Sequence, residues 1–181
     1  MLEEKKYPTC AERVREACES RLEDIRLMLN PTEDDYELGD DGTLDTVILV
    51  GEEELRFDSS NFDEDSPKTE QAYFMFSDDV EEALRRRFDE FALSFEYVPR
   101  GTFDNQKRGY VSYLISWGGP SEEIRFFCDE QRMPYKVEFW FLDWGDGASL
   151  NITDRPETRL LIDQLGFYDW LQDDQKFWST E

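Results

Sequence analysis

Residues 110–142, YVSYLISWGGPSEEIRFFCDEQRMPYKVEFWFL, decide the fold. From Tyr110 to Trp117 the side chains alternate, with Val111, Tyr113, Ile115 and Trp117 on one side and Tyr110, Ser112, Leu114 and Ser116 on the other. A period of two is that of a strand, here with one face packed and the other partly wet. The GGPS turn leads into a second run, Glu122 to Cys128, and the DEQRMP turn into a third, Tyr135 to Leu142. Connections this short join antiparallel neighbours, because parallel strands need a crossover. Ala92 to Val98 supplies a further run, joined to Tyr110 by a loop containing Pro and Gly.

Outward from this meander the period changes. Thr9 and Glu12 form a T-x-x-E capping box, and Val14, Ala17, Cys18, Leu22, Ile25 and Leu29 recur at helical spacing until Asn30-Pro31 stops them. Ser77 reads as the N-cap of a second helix, with Asp78, Asp79, Glu81 and Glu82 in the first turn and Arg85, Arg86 and Arg87 near its end, in keeping with the helix dipole. A third opens at Asp154 with Pro156 and Glu157 in its first turn, places Leu160, Leu161 and Leu165 on one face, and ends at Gly166. An aromatic turn, Phe167 to Leu171, is expected to cap the core. The expected class is α+β: an antiparallel sheet of about four or five strands packed by helices, with an acidic, partly irregular insertion. One domain is expected over residues 1–181, comprising an N-terminal helix at 9–30, an acidic segment at 31–71 and an α+β core at 72–181.

The insertion carries most of the charge. The chain has 44 Asp and Glu against 20 Lys and Arg, a net −24. Residues 31–71 hold fifteen of those acids against only Arg56 and Lys68, a local −13. An even acidic excess serves solubility, whereas a concentrated one creates a field that a basic partner can find. Within the segment LDTVILV, residues 44–50, reads as a strand, with a second short one near Glu54 to Phe57. SSNFDEDSPKTEQ reads as a mobile loop, and AYFMF, residues 72–76, as a strand beyond it.

Composition narrows the chemistry. With 14 Phe, 8 Tyr and 5 Trp in 181 residues, the chain has ample material for a core. Histidine is absent, which removes Ser-His-Asp and Cys-His nucleophile pairs and imidazole metal ligands. There is no GxxxxGK[ST] or GxGxxG phosphate cradle and no calcium-loop spacing. Cys10, Cys18 and Cys128 have no CxxC pattern and are expected to be reduced and partly buried. The N-terminus MLEEKKYPTC lacks a signal peptide's apolar segment, and no run approaches a membrane span, so a soluble, cytoplasmic protein is expected.

Asp143 and Asp146 in FLDWGDGA suit either a metal pair or a strand-terminating turn, and turn chemistry favours the latter. Glu122 and Glu123 with Arg125 suit a carboxylate pair, but solvated edge charges or a cross-strand ion pair are the simpler reading. Trp117, Trp140, Trp144, Phe126, Phe127, Phe139 and Phe141 suit an aromatic platform, with core packing on alternating faces the simpler reading. Arg85 to Arg87 is the only basic cluster, and its place at a helix C-terminus accounts for it. No catalytic residue, metal or cofactor is expected.

The string FEYVPRGTFDNQKRGYVSYLISWGGPSEEIRFF, followed by KVEFWFLDWGDGA, resembles a family of small proteins carried by plasmids, integrative elements and phages. The likeness spans Phe95 to Ala148 and rests on GTF at Gly101 to Phe103, QKRGY ending at Tyr110, SWGGPS at Ser116 to Ser121, and FLDW at Phe141 to Trp144. It implies a genetic context, the company of antirestriction and anti-CRISPR genes, and no site residues.

Charge and context together predict an acidic, protein-binding inhibitor of a bacterial defence complex that acts by DNA mimicry on a basic nucleic-acid-binding surface, a Cas effector or a restriction enzyme. Duplex DNA carries one charge per about 1.7 Å, so 24 net charges match about 40 Å of its axis. The expected contacts are Asp34, Asp35, Glu37, Asp40, Asp41, Glu52, Glu53, Glu54, Asp63, Glu64 and Asp65. No direct nucleic acid and no membrane partner is expected, because the charge has the wrong sign. The competing classes are a halophile-type acidic domain, an acidic accessory protein of a mobile element, and a carboxylate- and metal-dependent enzyme.

Overall fold

The computed structural model describes residues 8–32, 46–50, 53–57 and 82–167. In chain order these form α1 (Cys10–Leu29), β1 (Thr46–Val50), β2 (Glu53–Phe57), α2 (82–91), β3 (Ser94–Val98), β4 (Tyr110–Ser116), β5 (Ser121–Cys128), β6 (Pro134–Asp143), β7 (Asp146–Asn151) and α3 (Pro156–Gln164). The arrangement is α+β, with a five-stranded antiparallel sheet in the order β3-β4-β5-β6-β7 and a separate β1-β2 pair. Contacts divide the chain into two compact units, Met1–Ser20 with Phe91–Glu181, and Arg21–Glu90.

The first unit holds the sheet, and its core follows from the alternation along each strand. Val111 pairs with Phe126 and Phe126 with Val137, while Tyr113 pairs with Ile124 and Ile124 with Phe139, so one face is a continuous apolar layer. Val111, Ile124, Phe126, Val137 and Phe139 are all fully buried. Phe167, just beyond α3, closes over this layer with its ring 4.8 Å from Phe126 and 5.6 Å from Phe95. Burying a side chain of this size contributes about 2–3 kcal/mol, so the aromatic layer is the main source of stability here.

Two expectations need correction within the sheet. The register shifts between Leu114 and Ser116, where β4 carries an extra residue. The bulge ends the alternation before Trp117, which is 78% exposed rather than packed with Val111, Tyr113 and Ile115. The fifth strand, DGASLN, begins inside the expected strand-terminating turn, at Asp146, and continues to Asn151. Its Gly, Asp, Ser and Asn have low strand propensity, and the hairpin with β6 supplies the pairing that propensity does not.

The first half of α1 belongs to the same unit. Its start is held by the expected box, in which the Thr9 N–H donates to Glu12 Oε2 at 2.7 Å. At the other terminus α3 begins two residues later than Asp154. Arg155 occupies the N-cap position and Pro156 begins the helix, where its missing N–H leaves no bond unmade. Arg155 makes no cap bond; its Nη atoms grip both oxygens of Glu19 at 3.0 and 2.8 Å, tying α1 to α3.

The second unit contains the rest of α1, α2 and the β1-β2 pair. Leu22, Ile25 and Met28 on α1 and Leu84 and Phe88 on α2 are buried at helical spacing. The strands β1 and β2 pair antiparallel with Val50 opposite Glu53, close to the two short runs expected in the acidic segment. The expected loop at 59–71, the strand at 72–76 and the cap at Ser77 lie outside the described residues. Among the described residues no helix is long and apolar enough to cross a membrane.

Candidate functional site

Of the eleven carboxylates expected to meet a partner, Glu53 and Glu54 fall on described backbone, as the first two positions of β2 opposite Val50 and Leu49. Asp34, Asp35, Glu37, Asp40, Asp41, Glu52, Asp63, Glu64 and Asp65 lie outside the described residues. From residue 91 to 167 there are twelve Asp or Glu and eight Lys or Arg, whereas residues 31–71 carry fifteen against two.

Asp143 and Asp146 are opposite one another at the ends of β6 and β7, joined by Trp144 and Gly145, both at positive φ. This is the hairpin turn expected of DWGD. Both carboxylates are spent on α1: Arg13 donates to Asp143 Oδ2 at 2.7 Å, and the Cys10 N–H donates to Asp146 Oδ2 at 2.8 Å. Since α1 begins at Cys10, Asp146 serves from a distant hairpin as an anion at a helix N-terminus. The Cys10 and Gly147 N–H groups hold the Asp146 carboxyl below its usual pKa, and burial raises the Cys10 thiol. Among the described residues no three His, Cys, Asp or Glu are grouped to hold a metal ion.

The face of the sheet opposite the core carries a polar and aromatic network. Glu123, in the middle of β5, accepts the Ser112 hydroxyl on Oε1 at 2.6 Å and Arg125 Nε and Nη2 on Oε2 at 2.9 and 2.8 Å. The Arg125 guanidinium in turn lies 4.1 Å from the Trp140 ring and 4.6 Å from the Tyr110 ring. Trp140 donates its indole N–H to Glu138, which also pairs with Lys136. Burial, and after it the Glu123 charge, pushes the Tyr110 hydroxyl up to about 12.

This geometry revises the reading of Glu122 and Glu123. They are neighbours on a central strand, so alternation sends them to opposite faces, and both are buried rather than solvated. The ion pair is made within β5, between positions two apart, and not across strands. With both oxygens engaged by three donors, Glu123 positions Arg125. Above the network lies a groove of about 730 Å³ with Phe103 and Trp117 among its lining residues, both exposed. Core packing thus accounts for Phe126, Phe139 and Phe141, whereas Phe127 and Trp140 face the groove and Trp117 and Trp144 are exposed at turns.

Cys10 and Cys18 are buried, Cys128 is half-buried, and all three are free thiols. Desolvation pushes Cys18 up to about 11 and Cys128 up to about 12, which keeps them protonated and unreactive at neutral pH. Comparison of the chain with protein families, with curated proteins and with solved structures finds no match.

Proposed function

We propose that the protein is an acidic inhibitor of a bacterial defence complex, of the anti-CRISPR or antirestriction type, that occupies a basic nucleic-acid-binding surface in place of DNA. The observation that carries the reading is the partition of charge. Residues 91–167, which form the packed sheet and α3, hold twelve acids against eight cations, while residues 31–71 concentrate −13 in 41 positions. A field of that density steers a cationic groove and competes with phosphates for the same Lys and Arg side chains.

Plating unmodified phage on hosts that carry a restriction or CRISPR system tests the reading. Expression of the chain is expected to raise plating by orders of magnitude on at least one such host. Changing the eleven acids to Asn and Gln removes the effect at equal protein level. Equal protection by the neutralised variant contradicts the proposal.

A further inference from the structure

Arg85 to Arg87 is not the only basic cluster of the chain. Folding assembles a second one from residues scattered along the sequence, at the end of the sheet where the β3-β4 loop meets the β5-β6 turn. Arg100, Lys107 and Arg108 from the loop and Arg132 from the turn line a cleft of about 840 Å³, with Asp129 and Glu130 as its acids. Four of the eight cations between residues 91 and 167 therefore share one cavity, and its balance is positive in a chain of net −24. The Asp129 carboxylate accepts the Met133 N–H of its own turn at 2.9 Å.

The loop is braced. Gln106 uses its whole amide: Nε2 donates to the carbonyls of Pro99 and Arg108, both at 2.9 Å, and Oε1 accepts the Phe103 N–H at 3.0 Å. The Thr102 hydroxyl donates to the same Pro99 carbonyl at 2.8 Å. A Cβ on Gly109 would lie 2.2 Å from the Tyr97 hydroxyl, so the loop returns to β4 in a passage with no room for a side chain. Gly101, at φ +77, and Asn105, at φ +64, supply the left-handed turns the path requires. These are the GTF and QKRGY positions that the charge reading leaves without a role. Three cations on a preorganised loop pay little ordering entropy when an anion arrives.

An aromatic surface completes the cleft. Arg108 donates to the Tyr135 hydroxyl from beyond the edge of the ring, with its guanidinium carbon 6.0 Å from the ring centroid, and Tyr135 is 44% exposed at the cleft wall. Charge and ring together match a ligand with a phosphate and a planar base. The geometry points to a binding site for a mononucleotide, whose phosphate meets Arg100 and Lys107 and whose base lies on Tyr135. A nucleic-acid strand is disfavoured because the remaining charge of the chain repels a second polyanion, whereas one phosphate fits within the basic patch.

Titration of the full chain with AMP, GMP, inorganic phosphate and a ten-nucleotide oligo-dT, followed by calorimetry and by amide NMR shifts, tests the assignment. The nucleotides are expected to bind more tightly than inorganic phosphate and to shift residues 100–109 and 129–135. Arg100→Ala with Lys107→Ala weakens that binding about tenfold or more, since two charge-assisted contacts are lost. Gln106→Ala weakens it while the rest of the NMR spectrum stays native, which separates loop positioning from unfolding. Lys136→Ala, outside the cleft, leaves affinity unchanged. No nucleotide shift at about 10 mM, a few hundred times a dissociation constant of ~30 μM, overturns the assignment. So does an unaltered affinity in the Arg100 and Lys107 variant, or tighter binding of oligo-dT than of AMP.

Discussion

Glu123 sits in the middle of β5 with both oxygens in use, and its side chain and that of Arg125 are only 9% and 16% exposed. Removing one member of such a pair strands the other without its charge partner, so Glu123→Ala is expected to destabilise the protein by about 3 kcal/mol. Glu123→Leu combined with Arg125→Leu removes both charges and is expected to lose less than Glu123→Ala alone. Urea denaturation of the two variants checks the order. Asp146 makes a different contribution, visible in its pH dependence. Bonds to the ionised carboxyls lower the pKa values of Glu12, Glu19 and Asp146 below their ordinary 4.5, 4.5 and 3.8. The native state therefore favours the charged forms. Their stabilisation is complete above the ordinary values and is lost as pH falls through the lowered ones. The urea midpoint is expected to drop between pH 6 and about pH 3, and to drop less in Asp146→Asn, which has one such carboxyl fewer.

The elements divide into those legible in the chain and those that depend on pairing. The helix α1 was legible because capping, period and stop signal agree at Thr9, along Val14 to Ile25 and at Asn30-Pro31. The strands β4, β5 and β6 were legible because apolar residues alternate between short turns. The fifth strand was not, since Asp146 to Asn151 is a polar edge that folds through its hairpin with β6. The bulge that turns Trp117 outward was equally hidden: an extra residue in β4 depends on the register of β5, which alternation along one strand does not report. Packing of the elements is concentrated in the layer around Phe126, where the sheet meets Phe167. Phe126→Ala is expected to cost about 4 kcal/mol through the cavity it leaves. The matching loss of melting temperature in calorimetry should far exceed that of Trp144→Ala, whose ring is 96% exposed.

Along the whole chain the charge is uneven, with −13 of the net −24 in residues 31–71. That much was legible by counting residues 31–71, because composition needs no geometry. The basic cleft was not, because Arg100, Lys107, Arg108 and Arg132 are drawn together by two loops at one end of the sheet. The proposed function rests on the acidic segment acting as a polyanion toward a cationic groove, and a polyanion has a defined signature. For the restriction or Cas complex identified by phage plating, the measurement is displacement of labelled target duplex by the purified chain at about 50 mM and about 500 mM salt. Displacement at low salt that weakens by orders of magnitude at high salt, and is absent when the eleven carboxylates are neutralised, is the predicted result. Displacement of equal strength at both salt concentrations, or by the neutralised variant, would contradict it.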